Sequence, residues 1–267
     1  IISLITFIGW EKKIPHPLVE LTLFKNLTFT TLFSVLLIIQ AVAIVFVFLA
    51  IFLQNVLHYS PLMAGLLLLP AMVPIMLMAP VGGHLRDKYG PTLPMFCGAL
   101  LVVLSLIWIA IFSHNRGYAW LFPGLLVYGI GMPLILSGIM ATVMNMVNAQ
   151  QRGMASAIFN CARQFGNTIG LALLTGLLAS VNKWQLNSFL HHSPVPLSRL
   201  KEQQIDGLLV QSDQAMKAIA HLSLAHIELL KTAALNAYTN AFSMTLLAAA
   251  ILAFLSLFLI LKIPRKQ

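Results

Sequence analysis

The chain has 267 residues, of which 59% are hydrophobic and only 9% charged, with a formal net charge of +9. Soluble domains carry about 25% charged residues, so a water-facing surface cannot be built from this composition. The class it predicts is an all-α membrane protein. The basic residues gather between apolar runs, as anchoring at a membrane surface requires, so the excess charge implies a lipid bilayer and no nucleic-acid partner.

The chain opens in mid-apolar sequence, Ile1-Ile2-Ser3-Leu4-Ile5. Residues 1–10 therefore read as the end of a transmembrane helix that begins upstream, and the chain as the C-terminal part of a longer protein. Residues 11–27, with Glu11-Lys12-Lys13-Ile14-Pro15-His16-Pro17, read as a cytoplasmic surface linker. Apolar runs then predict spans at about 28–56, 62–81, 92–112, 120–147, 154–181 and 235–261, each long enough to cross a hydrocarbon layer about 30 Å thick. Together, residues 28–262 form a six-helix transmembrane bundle, and 263–267 a short cytoplasmic tail. The second span contains Pro70, Pro74 and Pro80. In a bundle, neighbouring helices can satisfy the carbonyls that proline frees, so a kinked continuous span is expected. Cys97 and Cys161 fall within apolar runs and read as reduced core residues.

The densest charge in the first 150 residues is Gly83-His84-Leu85-Arg86-Asp87-Lys88-Tyr89-Gly90. Between two uncharged runs it reads as a short hairpin loop at a bilayer surface. With that loop in the cytoplasm, Lys12, Lys13, Lys25, Arg86, Lys88, Arg152, Lys262, Arg265 and Lys266 share its side, while the short external loops hold only Arg116. This bias places the C-terminus in the cytoplasm. Residues 183–234 then form an external polar segment. Within it Ile205, Leu208, Leu209, Met216, Ile219, Ile227 and Leu230 recur at near-helical spacing, as one or two amphipathic helices would.

The octapeptide resembles a hallmark of the major facilitator superfamily, Gly-x-Leu-x-Asp-(Arg/Lys)-x-Gly followed by two basic residues. Gly83, Leu85, Asp87, Lys88 and Gly90 match, and Pro91 and Thr92 depart where basic residues stand in the pattern. Leu23-Phe24-Lys25-Asn26, Tyr59-Ser60-Pro61-Leu62-Met63-Ala64-Gly65, Ala162-Arg163-Gln164-Phe165-Gly166 and Ala237-Tyr238-Thr239-Asn240-Ala241-Phe242 resemble the fourteen-span EmrB/QacA-type drug:proton antiporters. The resemblance implies the C-terminal half of a major facilitator fold with 3+3 inverted repeats, its spans nine to fourteen, in a bacterial inner membrane. It implies a proton-coupled efflux antiporter of hydrophobic or cationic compounds, driven by the proton gradient without a cofactor. Its partners would be the N-terminal half and, by likeness to tripartite pumps, a periplasmic adaptor protein. The alternatives are an exporter of a particular metabolite (siderophore, fatty acid or bile salt) and a truncated remnant that does not transport. Nothing suggests an enzyme: HExxH, GxSxG and intramembrane carboxylate pairs are missing from the sequence, catalytic residues are none, and the histidines give no metal-ligand spacing.

On the same resemblance, Gly83, Leu85, Arg86, Asp87, Lys88 and Gly90 form a conformational latch; the alternative is a solvated turn that anchors topology. Arg163 is the only charge inside a predicted span. An Arg near the bilayer centre costs at least about 2.5–3.5 kcal/mol on insertion scales, so it should face the bundle interior or a wet cavity. Otherwise it lies near enough to the surface to snorkel. Gln164, Gln40, Asn145, Asn160 and Asn240 are further candidates for a polar substrate path or for interhelical hydrogen bonds. Gly166, Gly170, Gly129 and Gly131 have the small-residue spacing of close helix packing.

Overall fold

The computed structural model describes residues 21–192 and 224–263. Among the described residues every regular element is a helix. A short 3₁₀ helix, Leu21–Lys25, precedes α1 (Leu27–Ala43), α2 (Val45–Asn55), α3 (Pro61–Leu67) and α4 (Leu69–Tyr89). Then come α5 (Thr92–Phe112), α6 (Tyr118–Met146), α7 (Arg152–His192) and α8 (Leu224–Leu261). Six helical stretches are long and apolar enough to cross a membrane: Leu27–Asn55, Pro61–Tyr89, Thr92–Asn115, Tyr118–Met146, Ala149–Phe189 and Ile227–Leu261. The protein is an all-helical, multi-pass membrane bundle.

Local chemistry sets the helix ends. The Asn26 side chain accepts from the backbone N–H of Thr28 at 3.0 Å and caps α1, satisfying a donor that helix geometry leaves free. Ser60 does the same for Met63 at 3.3 Å, and Pro61 occupies the first position of α3, where its missing N–H costs nothing. Between α1 and α2 the chain takes one tighter step at Ile44, with Val47 N–H donating to Ile44 O at 2.9 Å. Between α3 and α4 it steps again at Leu68, two residues before Pro70. There the freed Leu67 carbonyl accepts from the Tyr118 hydroxyl at 2.8 Å.

The largest departure from the sequence reading is at the charged octapeptide. It is not a loop: α4 continues through Tyr89, and the reversal is confined to Gly90 and Pro91. The octapeptide contains no proline, and its Asp87 and Lys88 are exposed, so nothing before Gly90 stops a helix. Gly90 ends it with φ +77°, a left-handed conformation that glycine adopts without a Cβ penalty. The fifth and sixth spans are also longer than expected, ending at His192 and starting at Leu224. Polarity marks where hydrocarbon ends, and an α-helix can continue into water. The central part of the amphipathic segment expected at 183–234 lies outside the described residues. Cys97 and Cys161, expected in the core, are exposed and free because each sits on the outward face of its helix.

Packing follows an exchange pattern. The α4 helix packs on α6 as α7 packs on α1, and α5 packs on α6 as α8 packs on α1. Swapping α1–α5 for α6–α8 thus preserves the principal contacts, which is the relation between two three-span repeats. The result is a row ordered α4, α6, α1, α7, backed by α5 and α8, which also pack on each other. The core between the layers is apolar and aromatic. Phe52 stacks on Phe242 with centroids 4.4 Å apart, and Phe29 meets Phe159 edge-on at 5.4 Å. The two ends of the row are bare. The most apolar windows of Pro61–Tyr89 and Ala149–Phe189 are 11% and 17% buried, against 44–56% for the other four spans.

Candidate functional site: the bare face of α7 and the charged end of α4

The α7 helix divides into two faces. Ala155, Ile158, Phe159, Ala162, Gly166 and Gly170 are buried, and the last two meet backbone. A Cβ at Gly166 would lie 2.5 Å from Leu37 O, and one at Gly170 would collide with the backbone of Ala41. The helices therefore approach to near contact, as small residues in membrane interfaces allow. This contact also fixes depth. Leu37 is ten residues into α1 and Arg163 eleven into α7, roughly 15 and 17 Å along their helices at 1.5 Å per residue.

On the other side of α7, Asn160, Gln164 and Thr168 are exposed and Asn167 is half-buried, while Arg163 is exposed on the flank of the seam, about 20° around the helix from Gly170. At 100° per residue, Asn160, Gln164 and Asn167 share one stripe with Arg163 at its edge. Thr168 spends its hydroxyl locally, donating to Gln164 O at 2.9 Å. Arg163 has no ion-pair or hydrogen-bond partner among the described residues. Gln40 of α1, buried at 5% exposure, adjoins the same contact, its Cβ facing Gly166. Thus Arg163, Gln164, Asn160 and Gln40 are brought to one level of one side of the bundle. At the other end of the row, α4 presents Met72, Val73, Met76 and Leu77, all exposed.

The other two expected path residues lie elsewhere. Asn145 is exposed in the last turn of α6 and lines a cavity of about 750 Å³ with Asn26, Thr28, Arg86, Asp87 and Thr92. Asn240 sits at the far end of the bundle, where its Oδ1 is 2.9 Å from His114 Nε2. Its Nδ2 donates to Gln185 Oε1 at 2.9 Å. Arg116 donates to Asn236 beside it. His114, Gln185 and Asn236 escaped sequence reasoning because the polar residues that pair there are separated by more than 50 positions.

At the charged end, Arg86 donates to Asp87 Oδ1 through Nε at 2.8 Å and Nη2 at 2.6 Å. The side chains are 30% and 68% exposed. Both belong to the last turn of α4, and Lys88 lies 5.1 Å over the Tyr89 ring. Cations at a helix C-terminus complement its partial negative charge; Asp87 does not, and Arg86 offsets it. Leu85 and Gly83 are half-buried. Gly83 has open space where a Cβ would be, whereas its neighbour Gly82 packs on Ser137 Oγ. Gly129 packs on the backbone of Ala71, and a Cβ at Gly131 would lie 2.7 Å from Gly98 O. Among the described residues no three His, Cys, Asp or Glu side chains cluster as metal ligands would.

Comparison with known proteins places this geometry. The chain is 32% identical over 195 residues to "Multidrug resistance protein Stp" of Mycobacterium tuberculosis, covering 72% of this chain and 36% of that protein. It is 27% identical over 184 residues to "Quinolone resistance protein NorB" of Staphylococcus aureus, covering 68% and 40%. To "Tetracenomycin C resistance and export protein" of Streptomyces glaucescens it is 27% identical over 183 residues, covering 67% and 34%. The chain thus spans between a third and two fifths of the length of these relatives. Its fold matches the crystal structure of a bacterial homologue of the human lysosomal transporter Spinster, with TM-score 0.63 and 16% identity, over 89% of this chain and 49% of that one. Residues 7–171 match the Major Facilitator Superfamily, and with six spans in two exchangeable groups of three, the chain belongs to that superfamily of transporters.

Proposed function

We propose that the chain is the C-terminal half of a fourteen-span, proton-coupled efflux antiporter that exports hydrophobic compounds by alternating access. The observation that carries this reading is the bare row. Its end helices, α4 and α7, are the least covered of the six spans, and α7 there displays Arg163, Asn160 and Gln164 about halfway along the bundle. Lipid cannot solvate such a stripe, so it calls for a protein partner and a wet path. An N-terminal half packed against this row would cover it and leave the binding site between the halves. Rocking of the halves about that site would then expose it to either side.

In this reading the Arg86–Asp87 end is cytoplasmic, as the basic bias predicts, and the pair belongs to a latch that opens and closes with the rocking. Among the described residues the only carboxylates are Asp87 and Glu228, both near helix ends. The residue that binds the coupling proton accordingly lies in the N-terminal half. The protein names matched above, Stp, NorB and the tetracenomycin exporter, support efflux as the direction of transport.

The test is efflux of a fluorescent apolar dye from an efflux-deficient bacterium expressing the complete protein. Dye accumulation should fall, and a protonophore should restore it. Equal accumulation with and without the protein would overturn export, and protonophore-insensitive export would overturn proton coupling.

A further inference from the structure

We propose that Arg163 is an anion-recognising residue of the transport path, and that this half selects apolar molecules carrying a carboxylate or similar oxyanion. The inference rests on the exporter reading above and names the substrate class for the same site.

Four observations converge on it. Arg163 lies well inside the membrane level of α7, fixed by the Gly166–Leu37 contact. Its guanidinium has no partner among the described residues. Its neighbours Asn160 and Gln164, both exposed, and Asn167, half-buried, are polar but uncharged. Among the described residues no carboxylate shares the face: Asp87 is held by Arg86 at one end of the bundle, and Glu228 is near the start of α8 at the other. A cationic ligand at this face would meet one positive charge and nothing to offset it.

An oxyanion would meet a planar five-donor fork that matches carboxylate geometry, with amide N–H donors beside it. The apolar body of the ligand has a counterpart on α7 itself, where Leu171, on the stripe of Asn160 and Gln164 and about 12 Å along the helix from Arg163, is exposed. One cation and an apolar side chain along one helix face fit an amphipathic acid better than an amphipathic cation. A carboxylate on the N-terminal half is the competing occupant, and it separates cleanly in the test.

Three fluorescent probes with one apolar body decide the matter: the carboxylic acid, its methyl ester and a quaternary-ammonium analogue. Each is measured with the complete protein, by equilibrium binding in detergent and by transport into inverted membrane vesicles. The acid should bind more tightly than the ester by about tenfold or more, the range of a charge-assisted hydrogen bond. Arg163→Gln should remove that advantage and leave ester binding within about twofold, and Arg163→Lys should restore part of it. If acid and ester bind equally to the unmodified protein, or the quaternary analogue binds best, the proposal is overturned. If Arg163→Gln weakens acid and ester together, Arg163 pairs with the other half and the proposal is likewise overturned. If the acid binds in an Arg163-dependent way but none of the probes is transported, the anion site stands and the exporter reading falls.

Discussion

Gly166 of α7 faces the carbonyl oxygen of Leu37 on α1 so closely that a Cβ there would stand 2.5 Å from it. Gly170, one turn on, meets the backbone of Ala41, one turn further along α1. Two successive turns are thus in backbone contact, and the seam holds the outermost helix of the row to the bundle. Gly166→Val forces the helices apart. It should cost about 1–3 kcal/mol, the usual penalty of overpacking, and lower the melting temperature of the purified protein. Gly153→Ala is the matched control, since nothing lies within 4 Å of its Cβ position. Equal melting temperatures for Gly166→Val and the parent would remove the seam from the account of the fold.

The two hallmark glycines of α4 make opposite predictions. Gly90 has φ +77°, and an Ala there costs about 1–2 kcal/mol by Cβ crowding in a left-handed conformation. Gly83 is inside the helix with open space around it, so Gly83→Ala should gain up to about 1 kcal/mol of helix propensity. Melting curves of the two variants should therefore shift in opposite directions. A downward shift for both would mean that Gly83 is packed against something outside this chain.

The difference between these glycines marks the limit of what the sequence disclosed. Apolar run length located all six spans, because the bilayer sets it, and Thr92–Phe112 was found to the residue. The octapeptide misled because a charged stretch between apolar runs looks the same whether it is a loop or the last two turns of a helix leaving the membrane. The ends of α7 and α8 were missed for the same reason. The polar stripe of α7 was legible residue by residue, since charge and amides are rare in a span. Asn145 and Asn240 were not separable from it, as Asp87, which lines a cavity with Asn145, and His114 and Gln185, the partners of Asn240, come from other helices and sequence distance hides them.

Asp87→Asn separates anchoring from switching. The Arg86–Asp87 pair is substantially exposed, at 30% and 68%, and exposed pairs contribute at most about 1 kcal/mol. The variant should therefore melt within a few degrees of the parent. If the pair belongs to a latch, transport should nonetheless fall severalfold in the complete protein, and Arg86→Gln should mimic it. Normal transport in both variants, with normal expression, would leave the pair as a topological anchor.

Tyr128 supplies a test with an unusual sign. Its side chain is 2% exposed, its ring packs on Phe46 at 4.8 Å, and its hydroxyl has no hydrogen-bond partner among the described residues. A buried hydroxyl without a partner costs about 1–3 kcal/mol in protein mutational data. Tyr128→Phe should accordingly leave the melting temperature unchanged or raise it. Tyr118→Phe should lower it, because the Tyr118 hydroxyl donates to Leu67 O at the break between α3 and α4. A fall with Tyr128→Phe would reveal a bridging water or a group from the rest of the protein at that hydroxyl.

The two cysteines report whether the bare face of α7 is wet. Cys97 is exposed on α5, in the back layer beside the exposed Leu93 and Leu100, a surface suited to lipid. Cys161 is exposed on α7, about 60° around the helix from Gln164 and about 160° from Arg163 at 100° per residue. Maleimides react with the thiolate, which forms in water and is suppressed in hydrocarbon. In the complete protein, a membrane-impermeant maleimide should label Cys161 and leave Cys97 unmodified, and a high concentration of transported substrate should slow the labelling. The relevant comparison is between the single-cysteine variants Cys97→Ser and Cys161→Ser, so that each signal has one source. Labelling of Cys161 no faster than Cys97 would mean that the Gln164 edge of α7 is kept dry in the complete protein, and a wet path beside this helix would then have to run along its Arg163 edge, next to α1.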